Sequence, residues 1–532
     1  MSESPKKQTF LHGAALLAIA TALVKVIGAL YKIPLKMIIG DLGFGYFNTA
    51  YEVYSVLLMI STAGLPVAMS RMVSEAATLG QYNRVRQVYR TSRAIFVGLG
   101  IVSTLLMMVG CKALAEFQRQ PDAWFAFLCL GPCALLVGLL ATYRGFFQGQ
   151  GNMIPTSVSQ VLEAAVKLIA GLALAWALLK YTNSIAYAAG GAILGVTGSC
   201  LVSAIYLRSR LSPAYRSLPV SHEATPGYGA VAKSLLAIAV PITIGSAGLQ
   251  LLTVLETNLY MGQLLRTGLS HESAGTMKGI YNFSQTVFNM PCAFIIPITI
   301  SIIPAITSQL TLKNDKGVRD TEESAARITG LLSLPCAVGL ALLAGPVMAL
   351  LGGYEGEKLG LATKLMFILG VAVFPYGIIQ YTNAVLQAHG KAHVPVINML
   401  VSGAVKLAVV YMLAGNPNIG ILGAPLGALL CYICIALLNL ICIARLVPQK
   451  PALVRNIFRP LLPAALMGAA VYLCHWALQS LLHLDSRVLL CGVPIAVGGV
   501  VYCFAVVWCK AITREDCLLL PKGEKLAKLL KL

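Results

Sequence analysis

Long apolar runs of about 20 residues dominate the chain from residue 10 onward, and each ends at a charge cluster or a Gly/Pro/Asn turn. A helix of that length crosses the hydrocarbon of a bilayer, and the runs lack the apolar/polar alternation of a membrane barrel. The breaks predict fourteen transmembrane spans, at 10–34, 46–70, 94–115, 123–143, 153–179, 185–207, 233–264, 277–304, 328–350, 359–383, 395–414, 420–443, 460–481 and 487–509. The fold class is an all-α integral membrane protein of the cell membrane. The opening MSESPKKQTF resembles a secretory leader, but the apolar run behind it continues through Lys25 and Lys32 without a small-residue cleavage site and reads as span 1.

The pattern also repeats. Tyr143–Leu168, YRGFFQGQGNMIPTSVSQVLEAAVKL, is echoed by Thr382–Leu407, TNAVLQAHGKAHVPVINMLVSGAVKL, at a constant offset of 239 residues. Gln148 falls on Gln387, Gly151 on Gly390, and the tetrapeptide Ala165–Leu168 on Ala404–Leu407. The echoes lie six spans apart, an even number, so direction across the membrane is preserved. Two parallel six-helix repeats about an axis along the membrane normal are expected, as in several transporters. Pro66-x-x-x-Ser70 and Pro297-x-x-x-Ser301 form a second echo. The predicted division is 1–232 (spans 1–6), 233–444 (spans 7–12) and 445–532 (spans 13 and 14 with a basic tail).

Composition agrees with a membrane chain: 58% hydrophobic, 11% charged, mean hydropathy +0.78. The net charge of +20 gathers between spans on one side, at Arg84, Arg86, Arg90, Arg93, Arg208, Arg210, Lys313, Lys316 and Arg319 among others. It therefore reads as topology, with both termini cytoplasmic, rather than as nucleic-acid binding. Lys522, Lys525, Lys528 and Lys531, three apart among leucines, suit a tail on the anionic inner leaflet. Most of the 14 cysteines sit in apolar runs, where cysteine acts as a small hydrophobe; Cys431-Tyr-Ile-Cys434 reads as packing. His389 and His393 share a cytoplasmic loop without acidic ligands, so no metal is expected there. No phosphate loop, HExxH or serine elbow is present, and no catalytic residue or enzyme activity is expected.

Ionisable groups at membrane depth are costly and are candidate functional sites. Span 1 places Lys25, Gly28, Lys32 and Lys36 on one helical face. Span 2 has Asn48, Tyr51, Glu52 and Ser55, span 7 Gln250, Thr253, Glu256, Thr257 and Tyr260, and span 8 Lys278, Asn282, Gln285 and Asn289. Spans 1 and 7, and 2 and 8, are repeat equivalents, so one polar cavity between the halves accommodates all four stripes. Interhelical hydrogen bonding is the alternative, and Lys36 and Lys278, near span ends, could instead snorkel. Span 5 adds Thr156, Gln160, Glu163 and Lys167, with Glu163 four residues before Lys167 as in a helical ion pair. The second copy has Ser402 in place of Glu163, which leaves Lys406 to find another partner. Lysines outnumber acids, which favours an anionic headgroup over a cationic drug; an ammonium acts on phosphate as a point charge.

The segments QTFLHGAALLAIATALVKVIGALYKIP, STAGLPVAMSRMVSEA and YRGFFQGQGNMIPTSVSQVLE resemble the stage V sporulation protein B and MurJ-like branch of the multidrug/oligosaccharidyl-lipid/polysaccharide (MOP) exporter superfamily. The resemblance implies a MATE-like fold and flipping of an undecaprenyl-pyrophosphate-linked saccharide, such as a peptidoglycan precursor, to the outer leaflet. It implies cations on helices 1, 2 and 8, matched here by Lys25, Lys32 and Lys278, and an extra helix pair sheltering the lipid tail. Span 2 departs from the Gram-negative members, reading Leu57-Leu58-Met59 where they have an arginine pair.

The expectation is a flippase working by alternating access for cell-wall or spore-cortex synthesis. Lys25, Lys32 and Lys278 bind the pyrophosphate, Glu52 and Glu256 balance charge or carry a coupling ion, and Asn48, Gln250, Asn282 and Gln285 meet sugar or peptide. Glu163, Lys167 and Lys406 are secondary candidates. No cofactor is expected beyond a coupling ion, Na+ or H+, or the membrane potential. The partners are the bilayer, the anionic glycolipid and cell-wall synthesis proteins, and the chain acts as a monomer. The alternatives are a cation or drug antiporter, and a membrane scaffold or enzyme of wall synthesis.

Overall fold

The computed structural model describes residues 10–62, 64–219, 223, 226–449, 451–481, 486–513 and 516, without the side chains of 10–19, 22, 25, 61, 62, 241, 242, 244–246, 249 and 296–301. The tail lysines and the side chains of Lys25, Pro297 and Ser301 lie outside the described residues.

All described elements are helical. They are α1 (Phe10–Thr62), α2 (Leu65–Thr78), α3 (Tyr82–Val109), α4 (Cys111–Phe117), α5 (Trp124–Gly149), α6 (Ile154–Thr182), α7 (Ile185–Arg216), α8 (Tyr228–Arg266), α9 (His271–Thr311), α10 (Asp315–Leu342), α11 (Ala344–Gly352), α12 (Gly356–Ala388), α13 (His393–Ala414), α14 (Gly423–Leu446), α15 (Leu453–Phe458), α16 (Leu461–Ser480) and α17 (Arg487–Trp508), with short 3-10 turns at Pro121–Ala123 and Gly420–Leu422. Eleven stretches of the described residues are long and apolar enough to cross a membrane. Of the fourteen expected spans, 1 and 2 run together in α1, broken at Gly40 with φ 68°, and 7 and 8 fall in α8 and α9, whose apolar stretches include side chains outside the described residues.

The chain divides into two compact units, Met1–Asn282 and Phe283–Leu532, with the boundary inside α9. In the first unit α1 packs on α5, α6, α7 and α8, and α6 runs along α7. Glycines permit the closest approach: a Cβ at Gly195 would lie 2.2 Å from the Gly171 Cα, the small-residue contact typical of membrane helices. The second unit pairs α10 with α12, α13 with α14 and α16 with α17. An apolar cavity of about 630 Å³ there is lined by residues such as Leu334, Phe374, Ile433 and Phe458.

The sequence echo corresponds to the same backbone turn in each unit. Between α5 and α6, Gly151 has φ 77°, its N–H bonds to the Gln148 carbonyl at 3.0 Å and that of Asn152 to Phe147 at 3.0 Å. Between α12 and α13, Gly390 has φ 72°, its N–H bonds to Gln387 at 3.0 Å and that of Lys391 to Leu386 at 2.8 Å. Each pair of bonds closes a helix C-terminus in the Schellman manner, which needs a left-handed residue that glycine supplies without a Cβ penalty.

The connection from α7 to α8 is fastened to α3. The Glu223 carboxylate accepts from the backbone N–H groups of Asn83 at 2.7 Å and Arg84 at 3.1 Å, donors at the start of α3 that its own helix cannot satisfy. Arg86 donates to the Leu218 and Pro219 carbonyls. Desolvation pushes the Glu223 carboxyl up, but the backbone N–H bonds and the Arg86 charge outweigh it and hold it below the usual carboxylate range.

Two outcomes are expected. Gly151→Val and Gly390→Val each force a β-branched residue into the left-handed region and lower stability by about 1–2 kcal/mol, read as a fall in the unfolding midpoint in detergent. Because the Glu223 carboxyl is depressed, its contribution is complete above the ordinary carboxylate value and is lost only as pH falls through the lower folded-state value. Hydrogen exchange at the Asn83 and Arg84 amides, corrected for intrinsic rate, is expected to stay protected through the ordinary range and open below it, and to be open at neutral pH in Glu223→Ala.

Candidate functional site

Glycines bring α9 against the limb of α1 that follows Gly40. A Cβ at Gly279 would lie 1.8 Å from the Asp41 carbonyl oxygen, and one at Gly45 2.8 Å from that of Gly275. Lys278, beside Gly279, is fully buried by this contact. Its ammonium donates to Thr49 Oγ1 at 2.6 Å and to Glu52 Oε2 at 3.3 Å, and Thr257 of α8 donates to the same Glu52 oxygen at 2.9 Å. The Thr49 hydroxyl also meets the Gly45 carbonyl at 2.8 Å and the buried side chain of Gln120. Three helices thus converge on one carboxylate. Lys36, which span ends allowed to snorkel, is instead buried and paired with Asp41 at 3.4 Å next to the Gly40 break.

A second cluster lies where α5 turns back along α6. Arg144 donates from Nη2 to Glu163 Oε2 at 2.8 Å and from Nε to Ser159 Oγ at 3.0 Å. Glu163 therefore makes its ion pair with Arg144 and not, as the spacing suggested, with Lys167, which feels its charge only at longer range. The turn at Gly151 folds the last part of α5 onto α6, and a guanidinium at hydrogen-bond distance offers more than an ammonium one turn along the same helix. Lys167 rests instead over the Tyr31 ring, 5.6 Å from its centroid, within the range of a cation–π contact.

The clusters share one interior. Lys32 lies within electrostatic range of both Lys167 and Glu52, Tyr51 within range of Glu163, and Tyr260 within range of Glu52 and Glu256. Cys133 and Cys200 line the same region, their sulfurs 3.4 Å apart with the Tyr54 hydroxyl 3.2 Å from Cys133.

The first unit accordingly brings together Lys32, Glu52, Glu256, Lys278, Glu163 and Lys167. Asn48 bonds the Phe44 carbonyl of its own helix at 2.7 Å, Asn282 is buried one turn beyond Lys278, and Gln250 is half-buried on α8. Gln285 and Lys406 are half-buried in the second unit. The side chain of Lys25 is outside the described residues. Sequence reasoning missed Thr49, Gln120 and Ser159, because short polar residues and a loop glutamine carry no periodic signature, and it assigned Arg144 to a cytoplasmic loop. It also took His389 to lack an acidic neighbour, whereas His389 Nε2 lies 2.7 Å from Glu322 Oε1; the two residues are 67 apart in sequence. Among the described residues no three His, Cys, Asp or Glu side chains are grouped to hold a metal.

The family described as "Polysaccharide biosynthesis protein" matches residues 10–310, more than half of the chain. The chain belongs to the polysaccharide biosynthesis protein family. With eleven stretches of its described residues long and apolar enough to cross a membrane, it is a multi-pass membrane protein. It is similar to the lipid II flippase MurJ of Bacillus subtilis, 24% identical over 93% of this chain and 94% of that one. Stage V sporulation protein B of the same organism is 26% identical over 83% of this chain and 85% of that one. Two solved structures share the fold. An inward-facing multidrug resistance MATE family transporter has TM-score 0.67 at 15% identity, covering 80% of this chain and 95% of that one. MurJ in an inward closed conformation has TM-score 0.64 at 14% identity, covering 92% and 98%.

Removing one partner of a buried ion pair strands the other charge and costs about 3–5 kcal/mol, whereas replacing both by apolar groups is close to neutral. Glu52→Ala is therefore expected to destabilise strongly, and Glu52→Ala combined with Lys278→Met to recover most of the loss, in a double-mutant cycle of equilibrium unfolding.

Proposed function

We propose that this protein flips an undecaprenyl-pyrophosphate-linked saccharide, a peptidoglycan precursor or a related polysaccharide precursor, from the inner to the outer leaflet of the cell membrane by alternating access. The observation that carries the reading is the sign of the polar interior of the first unit. Lys32, Lys167, Lys278 and Arg144 supply four cations there against the carboxylates Glu52, Glu163 and Glu256. A site for cationic drugs would carry the reverse balance. The similarity to MurJ supports the same substrate class.

In this reading Lys25 and Lys32 meet the pyrophosphate, and Lys278 joins them by exchanging Glu52 for a phosphate oxygen. Glu52 and Glu256 balance charge or take a coupling ion, Na+ or H+. Asn48, Gln250, Asn282 and Gln285 meet sugar or peptide, and α16 and α17 shelter the polyprenyl tail. Fourteen spans follow if α1 counts as two and α8 and α9 are added, and the parallel repeats 1–232 and 233–444 then leave both termini cytoplasmic. Uphill transport requires an ion gradient or the membrane potential, each charge crossing being worth about 2.3 kcal/mol per 100 mV.

Complementation of a strain lacking its precursor flippase tests this. The unaltered chain is expected to restore growth, and Lys32→Ala and Lys278→Ala to reduce rescue severely. Full rescue by a variant lacking Lys25, Lys32 and Lys278 together would remove these side chains from headgroup binding.

A further inference from the structure

We infer that Lys167 on α6 is the partner of Lys32 in a two-ammonium seat for a pyrophosphate, a proposal that rests on the glycolipid reading above. The charges of the first unit lead there by elimination. Glu163 is held by Arg144 and Ser159, and Glu52 by Lys278 and Thr257. Lys167 lies over the ring of Tyr31, the residue next to Lys32, and the two ammonium groups are within electrostatic range of each other. Both are half-buried, and although Glu163 acts on Lys167 and Glu52 on Lys32 at a distance, among the described residues no carboxylate forms an ion pair with either.

Two like charges in a protein interior repel, because the surroundings screen them less than water does. A dianion between them turns that repulsion into two attractions. An ammonium suits this as a point charge that can follow either phosphate. The aromatic residue preceding Lys32 prepares the seat. The Tyr31 hydroxyl donates to the Ala192 carbonyl at 3.4 Å, which fixes the ring over which Lys167 lies. Gly171, where a Cβ would come within 2.8 Å of the Tyr31 hydroxyl, leaves room for it. Lys167 can swing from the ring face to an anion without breaking an ion pair.

The second copy shows what the node becomes without this task. Offset by 239 residues, Arg144, Ser159, Glu163 and Cys200 correspond to Asn383, Asn398, Ser402 and Asn439. Asn439 bonds Asn383 at 2.9 Å, Thr382 at 3.0 Å and Asn398 at 2.8 Å. That neutral amide network takes the place of the Arg144–Glu163 pair in the second unit, where Lys406 stands for Lys167; the seat is assigned to the first, where Lys167 has Lys32 within electrostatic range. The cations implied by family resemblance lie on spans 1, 2 and 8; Lys167 is on span 5.

The test is calorimetric titration of the full chain in detergent with inorganic pyrophosphate and, separately, with undecaprenyl pyrophosphate. The unaltered protein is expected to bind both, Lys167→Gln to weaken both by ~10-fold or more, Lys167→Arg by no more than ~3-fold, and Lys32→Gln with Lys167→Gln to lose less than the product of the single losses. In the unaltered protein, either ligand is also expected to protect Lys32 and Lys167 from an amine-acylating reagent, read by mass spectrometry, which removes any dependence on how a variant folds. Binding of pyrophosphate with Lys167 left fully reactive, or unchanged in Lys167→Gln, would overturn the seat while leaving the glycolipid reading standing. Binding of the inorganic ion without the polyprenyl form would assign the seat to a free phosphate instead. Binding of neither, alongside binding of tetraphenylphosphonium, would overturn the glycolipid reading and the seat with it.

Discussion

A charge inside a bundle of membrane helices persists only where another part of the bundle satisfies it, since neither lipid nor packed side chains replace water. The interior of the first unit is arranged around that constraint. Glu52 collects Lys278 and Thr257 from two other helices, and Glu163 collects Arg144 across the turn between α5 and α6. With both carboxylates engaged inside the bundle, Lys32 and Lys167 are left within electrostatic range of each other and without an ion pair of their own. The carboxylates thereby decide which ammonium groups are available to a ligand.

Close helix contact makes this arrangement possible. Lys278 reaches Thr49 and Glu52 because Gly279, Gly275 and Gly45 let α9 lie directly on the backbone of α1. A methyl group at Gly279 would meet the Asp41 carbonyl oxygen and separate the helices, so the glycines act on the charge pair without touching it. Likewise Gly171 makes room for Tyr31, and Tyr31 holds Lys167. Small residues set the geometry, and charged residues use it.

The two units show one turn adapted to two ends. Gly151 and Gly390 have nearly the same backbone conformation and the same pair of capping bonds, yet the residues around them have diverged. The first unit carries an ion pair at the node, and the second closes it with the amides of Asn383, Asn398 and Asn439. The amides satisfy one another without an ion pair, whereas in the first unit the Arg144–Glu163 pair leaves Lys167 over the Tyr31 ring with no carboxylate of its own at ion-pair distance.

Much of this was legible in the amino-acid order, and the division has a physical basis. Hydrophobic run length established a helical membrane protein, the recurrence of Gln148, Gly151 and AVKL at one offset established the duplicated turn, and helical spacing placed Lys32, Glu52, Glu256 and Lys278 on polar faces, because each of these depends on neighbours along the chain. Partner choice does not. Spacing favoured Glu163 with Lys167, and only the folded chain placed Arg144 nearer; the distance that decided it spans 19 residues of sequence for Arg144 and Glu163 and 226 for Lys278 and Glu52. Local order determines which face of a helix is polar. Tertiary contact alone decides which charges are neutralised within the bundle and which remain for something outside it.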